Sequence, residues 1–166
     1  MILVGLGSNL VAGQFTSSEQ VLEAAINSLE NIGIKVVARS GWYRSAPVPL
    51  SDQPWFVNGV VSVATDRSPE DLLQALHTVE REYGRIRVHR NESRTLDLDL
   101  LAYDDRVQQQ PGGLVLPHPR IAERAFVLLP LAELAPRWRH PVTGRTAAEM
   151  LAALPPGQAV ERIEEA

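Results

Sequence analysis

The run Arg94-Thr95-Leu96-Asp97-Leu98-Asp99-Leu100-Leu101 sets two carboxylates two positions apart among alternating leucines. On a β-strand, alternate side chains share a face and sit about 6.5 to 7 Å apart. Leu96, Leu98 and Leu100 then face a core, while Asp97 and Asp99 project together from the opposite side. Two carboxylates so placed could hold Mg²⁺, a hard cation that takes oxygen ligands and shares them with substrate phosphates. The same pattern also describes a half-buried strand whose wet face carries acids. Aspartate is a poor strand former, so two in mid-strand ask for a reason.

Just ahead of the pair, Arg81, Arg85, Arg87, Arg90 and Arg94 fall within 14 residues, with His89 among them. A guanidinium is planar, always charged and suited to bidentate contact with phosphate oxygens. A solvated basic loop is the plain alternative. An arginine loop leading into a carboxylate pair would nevertheless suit a Mg-polyphosphate, whose charge must be neutralised during transfer. The familiar nucleotide motifs are absent. Lys35 is the one lysine and lies in GIKVV, so there is no Walker A sequence. Gly5-Leu-Gly7-Ser-Asn-Leu10 lacks the last glycine of a dinucleotide fingerprint, and the chain has no kinase HRD or DFG set and no GxSxG. Phe56 and Asn58 share a strand face, and Phe126 is a second ring; together they could sandwich and read a heterocycle, or simply pack in a core. Pro117-His118-Pro119 displays one imidazole, either a nucleotide contact or a surface histidine.

The elements that must position these residues follow from periodicity and caps. Residues 2–6 (ILVGL) predict a buried strand, followed by a polar stretch over 7–16. A helix is expected over 18–31, with Ser17 as cap, Gln20 completing a capping-box pattern and Gly33 as stop. Strands are expected over 34–43 and 56–65, separated by a proline-rich loop at 45–54. Ser68, Pro69, Glu70 and Asp71 start a second helix that runs to Gly84. A strand over 95–103 turns at Asp104-Asp105 into Val107. Helices near 121–134 and 147–154 and a short β-like QAVERI complete the chain. The order β-α-β-β-α-β with appended elements predicts an α+β fold, a ferredoxin-like α/β sandwich.

With 166 residues, 45% of them hydrophobic, the chain suits one domain spanning 1–166 with a substantial core. Twenty acidic against 16 basic side chains leave a net charge of −4, the wrong balance for a general nucleic-acid binder. Zero cysteine excludes disulfides, thiol nucleophiles and thiolate metal sites, and fits a reducing cytosol. MILVGLGSNL is apolar for six residues without a basic flank, so no signal peptide is expected. No stretch reaches the roughly 18 to 20 apolar residues of a membrane span. A soluble cytoplasmic domain, bound to neither membrane nor nucleic acid, is the expectation.

Six segments together are similar to one family: GLGSNL (5–10), YRSAP (43–47), QPWFVN (53–58), VEREYGRIR (79–87), RTLDLDLL (94–101) and LPHPRIAERAFVLLPLAELAP (116–136). In family order, they resemble the 6-hydroxymethyl-7,8-dihydropterin pyrophosphokinases of folate biosynthesis. The resemblance implies a ferredoxin-like fold whose largely antiparallel sheet has about six strands, with flanking helices. It also implies transfer of the β,γ-diphosphate of ATP to the pterin hydroxymethyl oxygen, releasing AMP, with two Mg²⁺ ions per site. It implies Asp97 and Asp99 as metal ligands and Arg85 and Arg94 as the catalytic, charge-stabilising arginines. Glu80, Arg87, His118 and Arg124 match ATP-side positions. Phe56, Asn58 and Phe126 match the pterin pocket, completed by backbone around Ser45, Pro47 and Val48. ATP and the pterin are the partners implied, with no obligate protein partner. The chain departs from the family at Asn91-Glu92-Ser93, where an aromatic and Gly-Pro are common. Pro119 stands where an aromatic is often found, and Ala46 where a proline is frequent.

Two other classes fit the carboxylate pair alone. A metal-dependent phosphodiesterase or nuclease would need a basic channel that the acidic total argues against. A non-catalytic domain binding a nucleotide or pterin has the same architecture available to it.

Overall fold

Ile2, Val4 and Leu6 alternate with Leu3 along β1 (Ile2–Ser8), so this central strand feeds two separate cores, one on each face of the sheet. The computed structural model describes residues 1–9, 17–46, 54–84, 96–110 and 113–164. Within them the chain forms α1 (Ser18–Asn31), β2 (Lys35–Arg39), β3 (Tyr43–Ser45), β4 (Phe56–Ala64), α2 (Pro69–Gly84) and β5 (Asp97–Tyr103). A small hairpin of β6 (Gln108–Gln109) and β7 (Val115–Leu116) follows. A 3-10 turn (Ile121–Glu123), α3 (Ala125–Leu134), α4 (Ala147–Ala152) and β8 (Val160–Arg162) complete it.

The main sheet runs β5-β1-β4-β3-β8, with β2 beside β3 along the same edge of β4. Every pairing is antiparallel. Taking β2 and β3 as one broken strand, the order is the ferredoxin-like one that the element sequence predicts, widened by β8. Val21, Leu22 and Leu29 of α1 and Leu72 and Leu76 of α2 cover one face. Leu128 and Leu131 of α3 and Met150 of α4 cover the other. Among the described residues no helix is long and apolar enough to cross a membrane.

The helix starts follow their caps. Ser17 Oγ accepts the Gln20 N–H at 3.2 Å, and Ser68 Oγ accepts that of Asp71 at 3.2 Å. Each meets a donor that the first turn cannot satisfy internally. At the far end of α1, Gly33 takes φ +85°, a left-handed position that ends the helix without Cβ strain.

Three expected elements differ. The strand expected over 34–43 is two, because Ser40 turns its hydroxyl back to accept the Val60 N–H (3.0 Å) and Trp42 lays its ring across Gly59. The helix expected over 121–134 is interrupted at Arg124, whose backbone is extended (φ −118°, ψ 105°) between the 3-10 turn and α3. The last helix stops at Ala152, and the β-like tail is a true edge strand paired to β3 through Val160↔Ser45 and Arg162↔Tyr43. In β5 a register shift leaves Leu101 as an extra residue between the Leu3↔Ala102 and Val4↔Leu100 pairs. Leu101 and Ala102 therefore both enter the core under α3, the side onto which Asp97 and Asp99 open.

Candidate active site

β1 lies between β4 and β5, and at two successive positions on the α3 side it carries only glycine. Gly5 is opposite Asp99 and Val60, and Gly7 opposite Asp97 and Asn58. A Cβ on Gly7 would stand 3.0 Å from Asn58 Oδ1, and one on Gly5 would touch Leu101 at 3.4 Å. The missing side chains leave a recess of about 400 Å³ between the sheet and the start of α3. Ser45, Phe56 and Asn58 line it from β3 and β4, Asp97 and Asp99 from β5, and Arg124 and Phe126 from the start of α3. Asn58 is buried, and its amide donates to Ser45 Oγ at 2.7 Å. The alternation argued for β5 holds: Leu96, Leu98 and Leu100 are buried, while Asp97 and Asp99 remain partly open.

Arg124 joins the two ends of this recess. Its guanidinium is 4.0 Å from Asp99 Oδ2 and stands over the Phe126 ring, 5.5 Å from the centroid. The helix break makes this possible, since an extended residue ahead of α3 swings its side chain out of the helical sequence of faces. An ion pair this long and this exposed contributes little to stability, so Asp99 can exchange it for another cation.

Glu80 and His118 are not among the residues lining the recess. Glu80, near the end of α2, accepts the Leu98 backbone N–H at 2.7 Å. His118 follows a cis Leu116–Pro117 peptide, and its own N–H donates to Leu101 C=O at 2.8 Å. Burial pushes its imidazole below the usual histidine value; the nearby Asp99 charge opposes this, and Arg124 and Arg120 add to it. Nδ1 accepts the Arg120 N–H at 3.1 Å. The neutral ring therefore carries its proton on Nε2. Arg85, Arg87, Arg94, Pro47 and Val48 lie outside the described residues.

Arg120, Glu123 and Gln158 also line the recess and were not singled out on sequence. Glycines two apart on one strand are a readable sign of a cleared floor, and Gly5 and Gly7 supply it. Gln158 carries no such sign, since its partners are 33 and 35 positions away.

The donor set suits magnesium. Asp97 and Asp99 offer oxygen only, from one face of one strand, and no third histidine, cysteine or acid groups with them among the described residues. Such a site fits an ion that keeps water and phosphate as its remaining ligands.

Comparison with known proteins gives a family and a fold. The family described as 7,8-dihydro-6-hydroxymethylpterin-pyrophosphokinase matches residues 3–136. The 2-amino-4-hydroxy-6-hydroxymethyldihydropteridine pyrophosphokinase of Synechocystis sp. is 42% identical over 150 residues, 90% of this chain and 73% of that protein. The protein of the same name from Pseudomonas aeruginosa is 42% identical over 163 residues, 98% of this chain and 96% of its own length. Among solved structures, a Plasmodium falciparum HPPK-DHPS with pteroate superposes with a TM-score of 0.68 at 14% identity, covering 91% of this chain. This chain spans 42% of that one, and the likeness speaks for the fold.

Proposed function

Because this chain belongs to the 7,8-dihydro-6-hydroxymethylpterin-pyrophosphokinase family, we propose that its recess seats the pterin and that Asp97 and Asp99 face the phosphates of ATP. The enzyme is a diphosphotransferase that moves the pyrophosphoryl group of ATP to hydroxymethyldihydropterin in folate synthesis. The pterin hydroxymethyl oxygen attacks the β-phosphorus, and the bond from that phosphorus to the α,β-bridging oxygen breaks. The bridging oxygen leaves on AMP, and the hydroxyl proton is lost to solvent.

The observation that carries the residue assignment is the position of Arg124, within 4.0 Å of Asp99 and over Phe126. One side chain thus reaches Asp99 of the acid pair and the Phe126 ring. Phe56 and Phe126 line the recess as two ring surfaces for a flat heterocycle, and Asn58, held by Ser45, supplies an amide for its polar edge. Backbone at Pro47 and Val48 completes that recognition in this reading. Phosphoryl transfer needs little covalent help, so alignment and charge dominate. Asp97 and Asp99 would hold two magnesium ions, which when bound draw negative charge off the phosphate oxygens. Arg85 and Arg94 serve the same end as charge stabilisers, and Glu80, Arg87 and His118 hold the nucleotide. His118 contributes through its Nε2–H, since burial keeps the ring neutral. The cytoplasm is the compartment we propose, consistent with a chain free of cysteine. Family membership does not favour the nuclease or the non-catalytic alternative.

The test is product analysis. Purified protein with MgATP and 6-hydroxymethyl-7,8-dihydropterin should release AMP, followed by phosphorus NMR, only when the pterin is present and in equal amount to pterin diphosphate. ADP, or nucleotide release without pterin, would refute the reading.

A further inference from the structure

We propose that Gln158 is a positioning residue for this reaction: its amide clamps the backbone on both sides of Arg124 and so sets the guanidinium between Asp99 and Phe126. The proposal rests on the function read above. It concerns a residue beyond the stretch that the family matches.

Arg124 precedes α3 and gives it no side-chain cap. The first N–H groups of a helix lack internal partners. Here the one on Ala125 is taken by Gln158 Oε1 at 2.9 Å, while Gln158 Nε2 donates to Glu123 C=O at 2.7 Å. A backbone N–H can only donate and a carbonyl only accept, so the two bonds fix which way the amide faces. They straddle Arg124 and hold it extended where the local sequence favours continuous helix. The clamp is anchored in turn. Ala159 C=O accepts the Ala46 N–H at 3.0 Å, and Val160 pairs with Ser45, the residue that holds Asn58. One run of hydrogen bonds therefore links the amide on the pocket floor to the cation at its rim, by way of the tail. Gln158 itself lines the recess.

If Gln158 acts through Arg124, its loss should cost activity only while Arg124 is present. Gln158→Met keeps the length and removes both hydrogen bonds. We expect its kcat to fall roughly 10- to 100-fold, the scale for a displacement of about 1 Å in a positioning group. In an Arg124→Ala background the same change should cost less than about twofold. Amide exchange at Ala125 should quicken in Gln158→Met, a readout independent of turnover. Equal losses in both backgrounds, or wild-type kcat and KM with only the melting temperature lowered, would overturn the proposal. Unchanged protection at Ala125 would overturn it as well. Failure of the wild type to release AMP would instead strike the functional reading, so the two failures are told apart.

Discussion

The carboxylate of Glu80 accepts the backbone N–H of Leu98 at 2.7 Å, and Leu98 is the residue between Asp97 and Asp99. β5 is the edge of the sheet, so this N–H points away from β1 and would otherwise have only water. α2 thereby pins the strand at the point where the two aspartates leave it. Glu80→Ala should destabilise the fold by about 1.5 to 3 kcal/mol, the scale of a hydrogen bond to a charged group, and should lower turnover. Glu80→Gln keeps an oxygen acceptor and should recover most of the stability. Urea unfolding of both variants reads this directly.

Asp97→Ala and Asp99→Ala should each cut turnover by at least 10²- to 10³-fold, roughly the loss seen when one preorganised charge stabiliser is removed. Thermal unfolding should stay near wild type, because both side chains are partly open to solvent. Removing divalent cations with a chelator should abolish wild-type turnover, and added Mg²⁺ should restore it. Activity persisting in Asp97→Ala would remove that residue from the metal site.

The glycines of the sheet separate pocket shape from folding. Gly7→Ala puts a methyl 3.0 Å from Asn58 Oδ1, so pterin affinity should fall roughly tenfold or more while nucleotide affinity holds. Gly59→Ala instead meets the Trp42 ring at 2.5 Å and should cost about 1 to 3 kcal/mol of stability through overpacking. Calorimetric titration of each ligand and denaturant unfolding distinguish the two outcomes.

Burial lowers His118 below its ordinary 6.5, and burial lowers His140 in the same direction. The unfolded chain then takes up a proton before the folded one does. Stability should be fully present above about pH 6.5 and decline as pH falls below it. His118→Gln should flatten part of that slope, as thermal melts between about pH 7.5 and about pH 5.5 would show.

Tyr43 titrates late. Burial and its hydrogen bond to Glu133, at 2.6 Å, push its phenol up to about 12. A raised folded pKa means that its contribution is whole below the ordinary value near 10 and is lost as pH climbs toward 12. In ultraviolet titration, Tyr43→Phe should remove a phenol that ionises at about pH 12 in the folded protein.

Much of this fold is written in local pattern. Ser17 and Ser68 mark helix starts because a cap needs only a hydroxyl three residues ahead of an unpaired N–H. Leu98 and Leu100 against Asp97 and Asp99 mark a two-faced strand because the period of two is a property of the extended backbone itself. The carboxylate pair, Phe56 with Asn58, and the Phe126 ring could accordingly be named from pattern before any coordinates, whereas Arg124 is named only through the family resemblance.

Tertiary structure alone decided how those pieces meet. Residues 121–134 have the composition of one continuous helix, and the break at Arg124 comes with a partner for Ala125 that lies 33 residues downstream. β2 and β3 separate where Trp42 crosses Gly59, a contact between residues that no periodicity relates. Residue types and spacings determine which faces are apolar, which ends are capped and which groups can carry charge. Which unpaired N–H finds which distant acceptor depends on chain segments closing over long separations, and that assembly alone sets Arg124 beside Asp99.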